Sequence, residues 1–392
     1  MASAPASGAP DVPFLRDPRV RSILWQVLLC VLLLVAVAVL IYEAKQNLDR
    51  AHVTSGFGFW NQPAGFDISQ TLIDYSSSAS TYGRAFWVGL VNTLLVAAIG
   101  IVLATIVGFT IGIARLSTNW LVAHLAAGYV QMVRNVPLLL QLLFWYNAVL
   151  KALPSFRDSV RLPGGAYLNN RGLFLPSVDF GGAGTTILAA LALGIAGAIA
   201  MAMLARRERI SVGAATGIAL VLLFGLPLAA ELASGTHLTF EFPQMSRFNL
   251  RGGVEVIPEL VALVTGLVIY TGAFIAETVR AGLMAVQRGQ IEAAQALGLT
   301  RLVTLRRVII PQAMRVIIPP LTSQYLNLTK NSSLAVAIGY PDLVQIFTGT
   351  VLNQTGQAVE IVAITMVVYL VISLATSFLM NIYNARMALR ER

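Results

Sequence analysis

Long apolar stretches, each about 20 to 30 residues, recur through the sequence and leave few folds open to it. The hydrocarbon layer of a bilayer is about 30 Å thick, so a helix needs about 20 mostly apolar residues to cross it. No water reaches that layer, and a helix satisfies its backbone hydrogen bonds internally. The sequence therefore predicts an all-α integral membrane protein with about eight spans. These are residues 20–41, 85–113, 122–150, 185–204, 211–232, 258–279, 315–338 and 357–383.

Composition agrees with this prediction, since 57% of the 392 residues are hydrophobic and 11% are charged. Such a chain is not a soluble globular domain. The net charge of +9 comes mainly from arginines in short connections between apolar stretches. That distribution is typical of membrane topology and argues against a nucleic-acid partner. It predicts that both termini and the connections at Arg115, 206–209, 280–315 and 386–392 are cytoplasmic.

The pattern divides the chain into three regions. Residues 1–84 are predicted to hold a cytoplasmic tail, an extra first transmembrane helix and an outer loop; residues 85–386 form the transmembrane domain, and 387–392 a cytoplasmic tail. A helical hairpin at about 185–232 consists mainly of Ala, Gly, Leu and Val. Because membrane function usually concentrates polar groups, we interpret the hairpin as a peripheral insertion, with a transport role as the alternative.

The cytoplasmic connection 289–320 reads as two short helices separated by a sharp turn. Residues 292–294 make a small-residue helix, and Gly298 is expected to take the left-handed conformation that ends it. Thr300 is positioned to cap the second helix, and Pro311 is expected to bend the chain before the next span. Interhelical loops are normally short. This one therefore favours insertion into a groove of another protein over a purely solvated connection.

The spacing of residues 292–294, Gly298 and 308–311 resembles the EAA loop of bacterial ABC importer permeases. The resemblance implies a type I ABC importer permease fold, in which the loop forms coupling helices that sit in a cleft of the ATP-binding subunit. It makes 85–386 the ABC permease transmembrane domain and the first outer loop periplasmic. The coupling residues it implies are Glu292, Ala293, Ala294, Gly298, Arg306 and Pro311.

Three further stretches resemble the polar amino-acid branch of that family, which includes histidine, glutamine and general L-amino-acid permeases. Residues 134–141 read RNVPLLLQ, residues 276–282 read AETVRAG and residues 330–334 read KNSSL. They are similar to RGTPLLVQ, AExxRGG and KDTSL of that branch. Two departures are Asn135 in place of glycine and Asn331 in place of an acid.

The resemblance implies a bacterial inner-membrane protein that moves polar L-amino acids. The partners it implies are a pair of ATP-binding cassette subunits, a second permease that is a related but different chain, a periplasmic amino-acid-binding protein and membrane lipid. The chain itself has no GxxxxGK[ST] phosphate loop and no cysteine cluster, and its three histidines are scattered. We therefore expect no enzyme activity, no metal and no cofactor on this chain, with ATP and Mg bound by the partner ATPase.

A zwitterion that crosses the membrane needs polar partners for both of its charges. The candidates that would line such a path are Gln141, Glu277, Ser323, Asn327, Lys330 and Asn331. Ser323, Asn327 and Lys330 recur at helical spacing and share a face. Glu277 and Lys330 have a structural alternative, in which they pair with each other or reach an interface. Gln141 and Asn147 could equally bridge helices.

Two other classes of protein compete with this interpretation. In a gradient-driven secondary transporter or channel, Glu277 would be a proton or ion site. In a membrane scaffold, the polar face at 323–330 would have no purpose. A docking loop such as 292–311 has no role in a gradient-driven carrier.

Overall fold

The computed structural model describes residues 18–50, 55–179, 184–206, 210–235, 239–246 and 250–387. Most of the predicted tail 387–392 and residues 207–209 of the predicted cytoplasmic connection lie outside these ranges. The helices are α1 (Pro18–Arg50), α2 (Tyr82–Ala114), α3 (Trp120–Arg134), α4 (Leu138–Leu143), α5 (Gly184–Arg206), α6 (Val212–Leu220), α7 (Leu226–Ser234), α8 (Pro258–Met284), α9 (Arg288–Ala296), α10 (Arg301–Thr304), α11 (Ile310–Asn331), α12 (Leu352–Thr355) and α13 (Ala358–Met387).

Shorter helical turns extend or connect these helices. Tighter 3-10 turns occupy Gly58–Asn61, Phe156–Asp158 and Ser332–Ile338. Wider π turns occupy Phe144–Leu150, Val221–Gly225, Leu305–Ile309 and Gln345–Val351.

Five described stretches are long and apolar enough to cross a membrane, namely Arg21–Leu40, Tyr82–Ala114, Gly213–Ser234, Pro258–Met284 and Ala358–Ile382. They coincide with five of the predicted spans. The apolar part of α5, Ala189–Ala205, is shorter. The helical membrane fold is thus confirmed, whereas the count of about eight spans is not.

The predicted span 122–150 is broken into two helices. α3 ends at Arg134, and α4 begins directly after Pro137 and runs on into the π turn Phe144–Leu150. Proline has no backbone N–H and disfavours helical backbone in the residue before it, so the helix stops there.

The predicted span 315–338 also differs from the structure. α11 starts earlier, at Ile310, and gives way to the 3-10 turn Ser332–Ile338, which ends at Gly339 with φ of 79°. The chain then forms a further helical turn, α12 and α13. The sequence pattern contained no prediction for this helical segment between 343 and 355.

Helices α2, α8 and α11 pack together as the centre of the molecule. A β-carbon on Gly108 of α2 would lie 2.4 Å from Ile275 Cγ2, and one on Gly112 would lie 2.8 Å from Ala276 O. These two glycines therefore let α2 approach α8 closely, as small residues do in membrane helix pairs. Gly282 serves the contact of α8 with α11 in the same way, since its β-carbon would lie 2.3 Å from Ile317 Cγ1.

The predicted first outer loop, up to Arg84, is more ordered than its polar composition indicates. α1 itself continues to Arg50. Phe59 is only 1% exposed and packs in a cluster with Phe86 and Phe347 at the start of α2. The stretch from Gly58 onward therefore packs against the start of α2 and against Phe347.

Eight short strands in the described residues, four before and four after the helical hairpin in sequence, form a β lobe. The sequence pattern did not predict these strands. They are β1 (Val160–Leu162), β2 (Ala166–Asn169), β3 (Gly172–Leu175), β4 (Ser177–Asp179), β5 (Thr239–Glu241), β6 (Gln244–Met245), β7 (Leu250–Arg251) and β8 (Val254–Val256). The larger sheet has the order β1-β2-β3-β8, and β4 pairs antiparallel with β5. The β4–β5 pair joins the two chain segments that lead into and out of the hairpin.

Candidate functional site

The segment between α8 and α11 carries the predicted coupling residues and folds as a helix, a sharp turn and a second helix. α9 includes residues 292–294. Beyond its end, Gly298 N–H donates to Gln295 O at 2.9 Å and Leu299 N–H donates to Ala294 O at 3.1 Å. This pair of bonds satisfies carbonyls that a helix end leaves open and requires a left-handed residue. The backbone of the turn is therefore held by its own hydrogen bonds.

Gly298 has φ of 71°, which confirms the expected left-handed conformation. A β-carbon built on it would meet nothing within 4 Å. Glycine is therefore needed for its backbone freedom rather than for space.

The second helix differs in detail from the expectation. Thr300 does precede α10, but its side chain makes no capping hydrogen bond. Pro311 does not end the helix, because α10, the π turn with Arg306 and α11 follow one another without interruption. Ile310 N–H donates to Leu305 O, five residues back, and this wider π turn directly precedes Pro311, which has no N–H to donate.

The surface of this segment combines a buried anchor with exposed apolar side chains. Ala294 is only 4% exposed, whereas Glu292 and Ala293 are exposed. Leu297 and Leu302 flank the turn and are 79% and 73% exposed. Leucines this exposed on a rigid segment indicate a contact surface. The sequence pattern did not single out either residue, although Leu297 directly precedes Gly298 and Leu302 follows Thr300 by two residues.

Glu277 does not pair with Lys330. Arg115 Nη1 donates to its Oε2, Arg280 Nε donates to its Oε1 at 3.2 Å, and Arg134 Nη1 lies 3.8 Å from Oε2. The carboxylate is therefore held by cations from the ends of α2 and α3 and from the next turn of α8. Arg134 and Arg280 both belong to this cluster.

The predicted polar face of α11 is exposed in the chain. Ser323, Asn327 and Lys330 are all exposed, and Asn331 at their edge is half-buried. Among the described residues, none forms an ion pair with the Lys330 ammonium. A cation on a helix at membrane depth is costly against lipid, so this face needs a polar neighbour.

Gln141 has a structural role. Its side chain is buried, and Nε2 donates to Val133 O and to Val136 O, each at 2.9 Å. Both carbonyls lie at the break before α4, where Val133 O also accepts from Val136 N–H at 3.4 Å. Asn147 instead is exposed and bonds within its own helix to Leu143 O. Gln141 thus bridges the break rather than facing a path.

A buried polar group that the sequence analysis missed lies between α11 and α13. Asp342 accepts hydrogen bonds from Gln345 N–H at 2.8 Å and from Tyr369 O–H at 3.1 Å. Burial raises the pKa of the Asp342 carboxyl to about 7. It joins the connection after α11 to α13. In the described ranges, no group of three His, Cys, Asp or Glu side chains is arranged to hold a metal ion.

Comparison with known proteins agrees with these features. The model of the family described as binding-protein-dependent transport system inner membrane component matches residues 257–389. The putative amino-acid ABC transporter permease protein YhdX of Escherichia coli is 52% identical over 379 residues, 96% of either chain. The general L-amino acid transport system permease protein AapQ of Rhizobium johnstonii is 51% identical over 96% of this chain and 94% of its own.

A third relative has a lower identity over the same share of this chain. The glutamate/glutamine/aspartate/asparagine transport system permease protein BztB of Rhodobacter capsulatus is 40% identical over 96% of each chain. These relatives are transport subunits rather than enzymes. The chain is a multi-pass membrane permease of the ABC importer type, and it belongs to the family of binding-protein-dependent transport system inner membrane components, within its amino-acid permease branch.

Proposed function

We propose that this chain moves polar L-amino acids into the cell across the bacterial inner membrane, as one permease of an importer powered by a separate ATPase. The observation that carries the proposal is the segment from Arg288 to Pro311. It has a sharp left-handed turn at Gly298, and the side chains of Leu297 and Leu302 are exposed on its surface. A gradient-driven carrier has no use for such a surface. The substrate class follows the names of the relatives.

The coupling surface is proposed to consist of Glu292, Ala293, Ala294, Gly298, Arg306 and Pro311, with Leu297 and Leu302 added. Its partner is one of a pair of ATP-binding cassette subunits, which bind ATP and Mg. Closure of these subunits on ATP would push the segment as a rigid body, because α10, the π turn and α11 form one continuous helical element. The motion is thereby delivered directly to the polar face of α11.

The second proposed partner is another permease, a related but different chain, that covers the polar face of α11. Ser323, Asn327 and Lys330, with Asn331 at the edge, then line a path between the two permeases. Their exposure in the single chain and the apolar character of the surrounding helices support this assignment. A periplasmic amino-acid-binding protein delivers substrate to the outer end. Membrane lipid surrounds the complex, and nucleic acid has no part in it.

Glu277 and Gln141 are no longer proposed as direct partners of the substrate ammonium. The carboxylate of Glu277 is already paired with arginines, and the side-chain N–H groups of Gln141 already donate to backbone carbonyls between α3 and α4. The same arginines argue against the rival in which Glu277 is the proton site of a secondary transporter.

The deciding experiment measures uptake into vesicles. The chain is reconstituted alone and with its ATPase, second permease and binding protein, and labelled amino acid is added outside. We expect uptake only in vesicles that contain the full set of subunits with ATP and Mg available to the ATPase. Uptake by the chain alone, driven by a proton or sodium gradient, would establish the secondary-transporter alternative.

A further inference from the structure

The cluster around Glu277 carries more positive than negative charge. Three guanidinium groups, from Arg115, Arg134 and Arg280, face one carboxylate. Arg115 and Arg280 bond directly to its two oxygens. Arg134 stays beyond hydrogen-bond distance, at 3.8 Å. Its charge is therefore only partly compensated.

Arg134 is also positioned for an external ligand. Its guanidinium carbon lies 5.0 Å from the centre of the Phe274 ring, which supports one face of the group by a cation–π contact. Its side chain is 40% exposed. A supported guanidinium has its edge free for two parallel hydrogen bonds, the geometry that a carboxylate accepts.

Two cavities meet at this side chain. One, of about 380 Å³, lies between α2, α3 and α8 and includes Gln131 and Asn135. The other, of about 300 Å³, lies between α8 and α11 and reaches Gln324, the neighbour of Ser323. Arg134, Phe274 and Glu277 line both cavities. The second cavity thus connects the arginine cluster with the side of α11 that carries the proposed path.

We propose that Arg134 binds the carboxylate of an amino acid in the cavity between α2, α3 and α8, at the end of the protein predicted to be cytoplasmic. The choice of an amino acid as ligand rests on the proposed function; the preference for an oxyanion rests on the charges alone. The side-chain oxygens of Gln131 and Asn135 accept hydrogen bonds from the ligand's ammonium. Glu277 holds Arg115 and Arg280 in place and does not bind the ligand.

The test uses a cysteine placed in the cavity. Cys30 on α1 is the single cysteine of the sequence, so Cys30→Ser with Ala127→Cys, at a lining position without a proposed ligand contact, gives one reactive thiol. The full-length protein in nanodiscs of zwitterionic lipid is treated with anionic or cationic methanethiosulfonate. We expect the anionic reagent to react faster. Arg134→Gln should lower the anionic-to-cationic rate ratio about sevenfold, because one unit charge at about 7 Å in water favours the anionic reagent and disfavours the cationic one by similar factors. Arg21→Gln, which removes a cytoplasmic arginine on α1, should leave the ratio unchanged.

Protection then identifies the ligand group. L-Glutamine at high concentration should slow modification, whereas L-glutamine amide, which lacks the α-carboxylate, should not. Arg134→Lys should keep the rate ratio but lose most of the protection, because an ammonium cannot form the paired hydrogen bonds. Equal protection by both compounds overturns the proposal, as does a rate ratio that Arg134→Gln leaves unchanged.

A lipid phosphate is the other source of an oxyanion. If anionic lipid in the nanodisc blocks modification and amino acids do not, the site belongs to a lipid headgroup and the proposal is wrong. Neither ATP nor a partner subunit is needed for these measurements. Their failure is therefore distinguishable from a failure of ATP-driven uptake.

Discussion

Glu277 and Lys330 both lie in apolar stretches of the sequence, yet their environments differ. Glu277 is surrounded by arginines, one of which is 162 residues away in the chain. Lys330 is exposed and has no described ion pair. The sequence identified both as special because charge at membrane depth is costly. It could not identify the partners of Glu277, because these depend on how close α2 and α3 come to α8.

Lys330→Met tests whether the ammonium recognises substrate. Because no described residue forms an ion pair with Lys330, we expect the variant to assemble normally. Uptake of glutamate should fall about tenfold or more, which corresponds to the loss of a charged hydrogen bond of about 1.5 to 3 kcal/mol. Uptake of glutamine and arginine should fall less. An equal loss for all three substrates would rule out charge recognition. Lys151→Met, at an exposed lysine on the predicted outer side, is the control.

Gln141→Leu tests the structural role of the amide. The substitution keeps the volume but removes the amide donor from Val136 O and from Val133 O, of which Val133 O retains the N–H of Val136 at 3.4 Å. We expect a loss of about 1 to 3 kcal/mol in unfolding free energy, visible as a lower midpoint of thermal unfolding in detergent. Asn147→Leu, at an exposed amide, should change the midpoint little. Reduced uptake with unchanged stability would return Gln141 to the transport path.

At the scale of the elements, the helix–turn–helix of the coupling segment followed from Gly298 and the small residues before it. The continuity of α10 with α11 did not, because a π turn absorbs Pro311 and sequence spacing does not show such a turn. The β lobe was missed for another reason. Its strands are two to four residues long, and the partners β3 and β8 lie on opposite sides of the inserted hairpin in sequence.

Leu302→Asp tests whether the exposed apolar surface of this segment binds the ATPase. The side chain is 73% exposed, so a charge there should leave the fold and membrane insertion intact. In an interface with the ATPase, the aspartate charge would be buried without a partner, which would weaken binding by several kcal/mol. We expect at least a tenfold loss of ATPase recovered with the permease in a pull-down. Leu72→Asp, at a leucine that is 52% exposed in the segment before α2, should have no effect, and full recovery with Leu302→Asp would contradict the proposed surface.

For the whole molecule, hydropathy predicted the membrane class correctly, whereas its count of about eight spans is not confirmed. Helices α3 and α4 share one apolar stretch that Pro137 interrupts, and α11 carries a polar face together with Pro319 and Pro320. Apolar length alone cannot distinguish a continuous span from a broken helix or from a helix that faces a path.

The orientation of the whole chain is tested by reporter fusions. Arginines near Arg115 and through 280–315 predict that these connections are cytoplasmic. Fusions after Leu116 and Gln287 should therefore report the cytoplasm, and fusions after Asn61 and Arg161 the outer side. A cytoplasmic signal at Arg161 would reverse the assignment and place the β lobe beside the ATPase.

The central claim is that the segment around Gly298 transmits ATP-driven motion to the transport path. It is tested by measuring amino-acid uptake and ATP hydrolysis in the same vesicles for Gly298→Val. A β-branched residue fits the backbone at φ of 71° poorly, although its side chain has space. Gly217→Val in the hairpin, also with open space and without positive φ, is the matched control. The account predicts that Gly298→Val assembles and hydrolyses ATP while uptake per ATP falls about tenfold or more, and that Gly217→Val behaves as the unaltered chain. Unchanged uptake per ATP in an assembled Gly298→Val complex would contradict it.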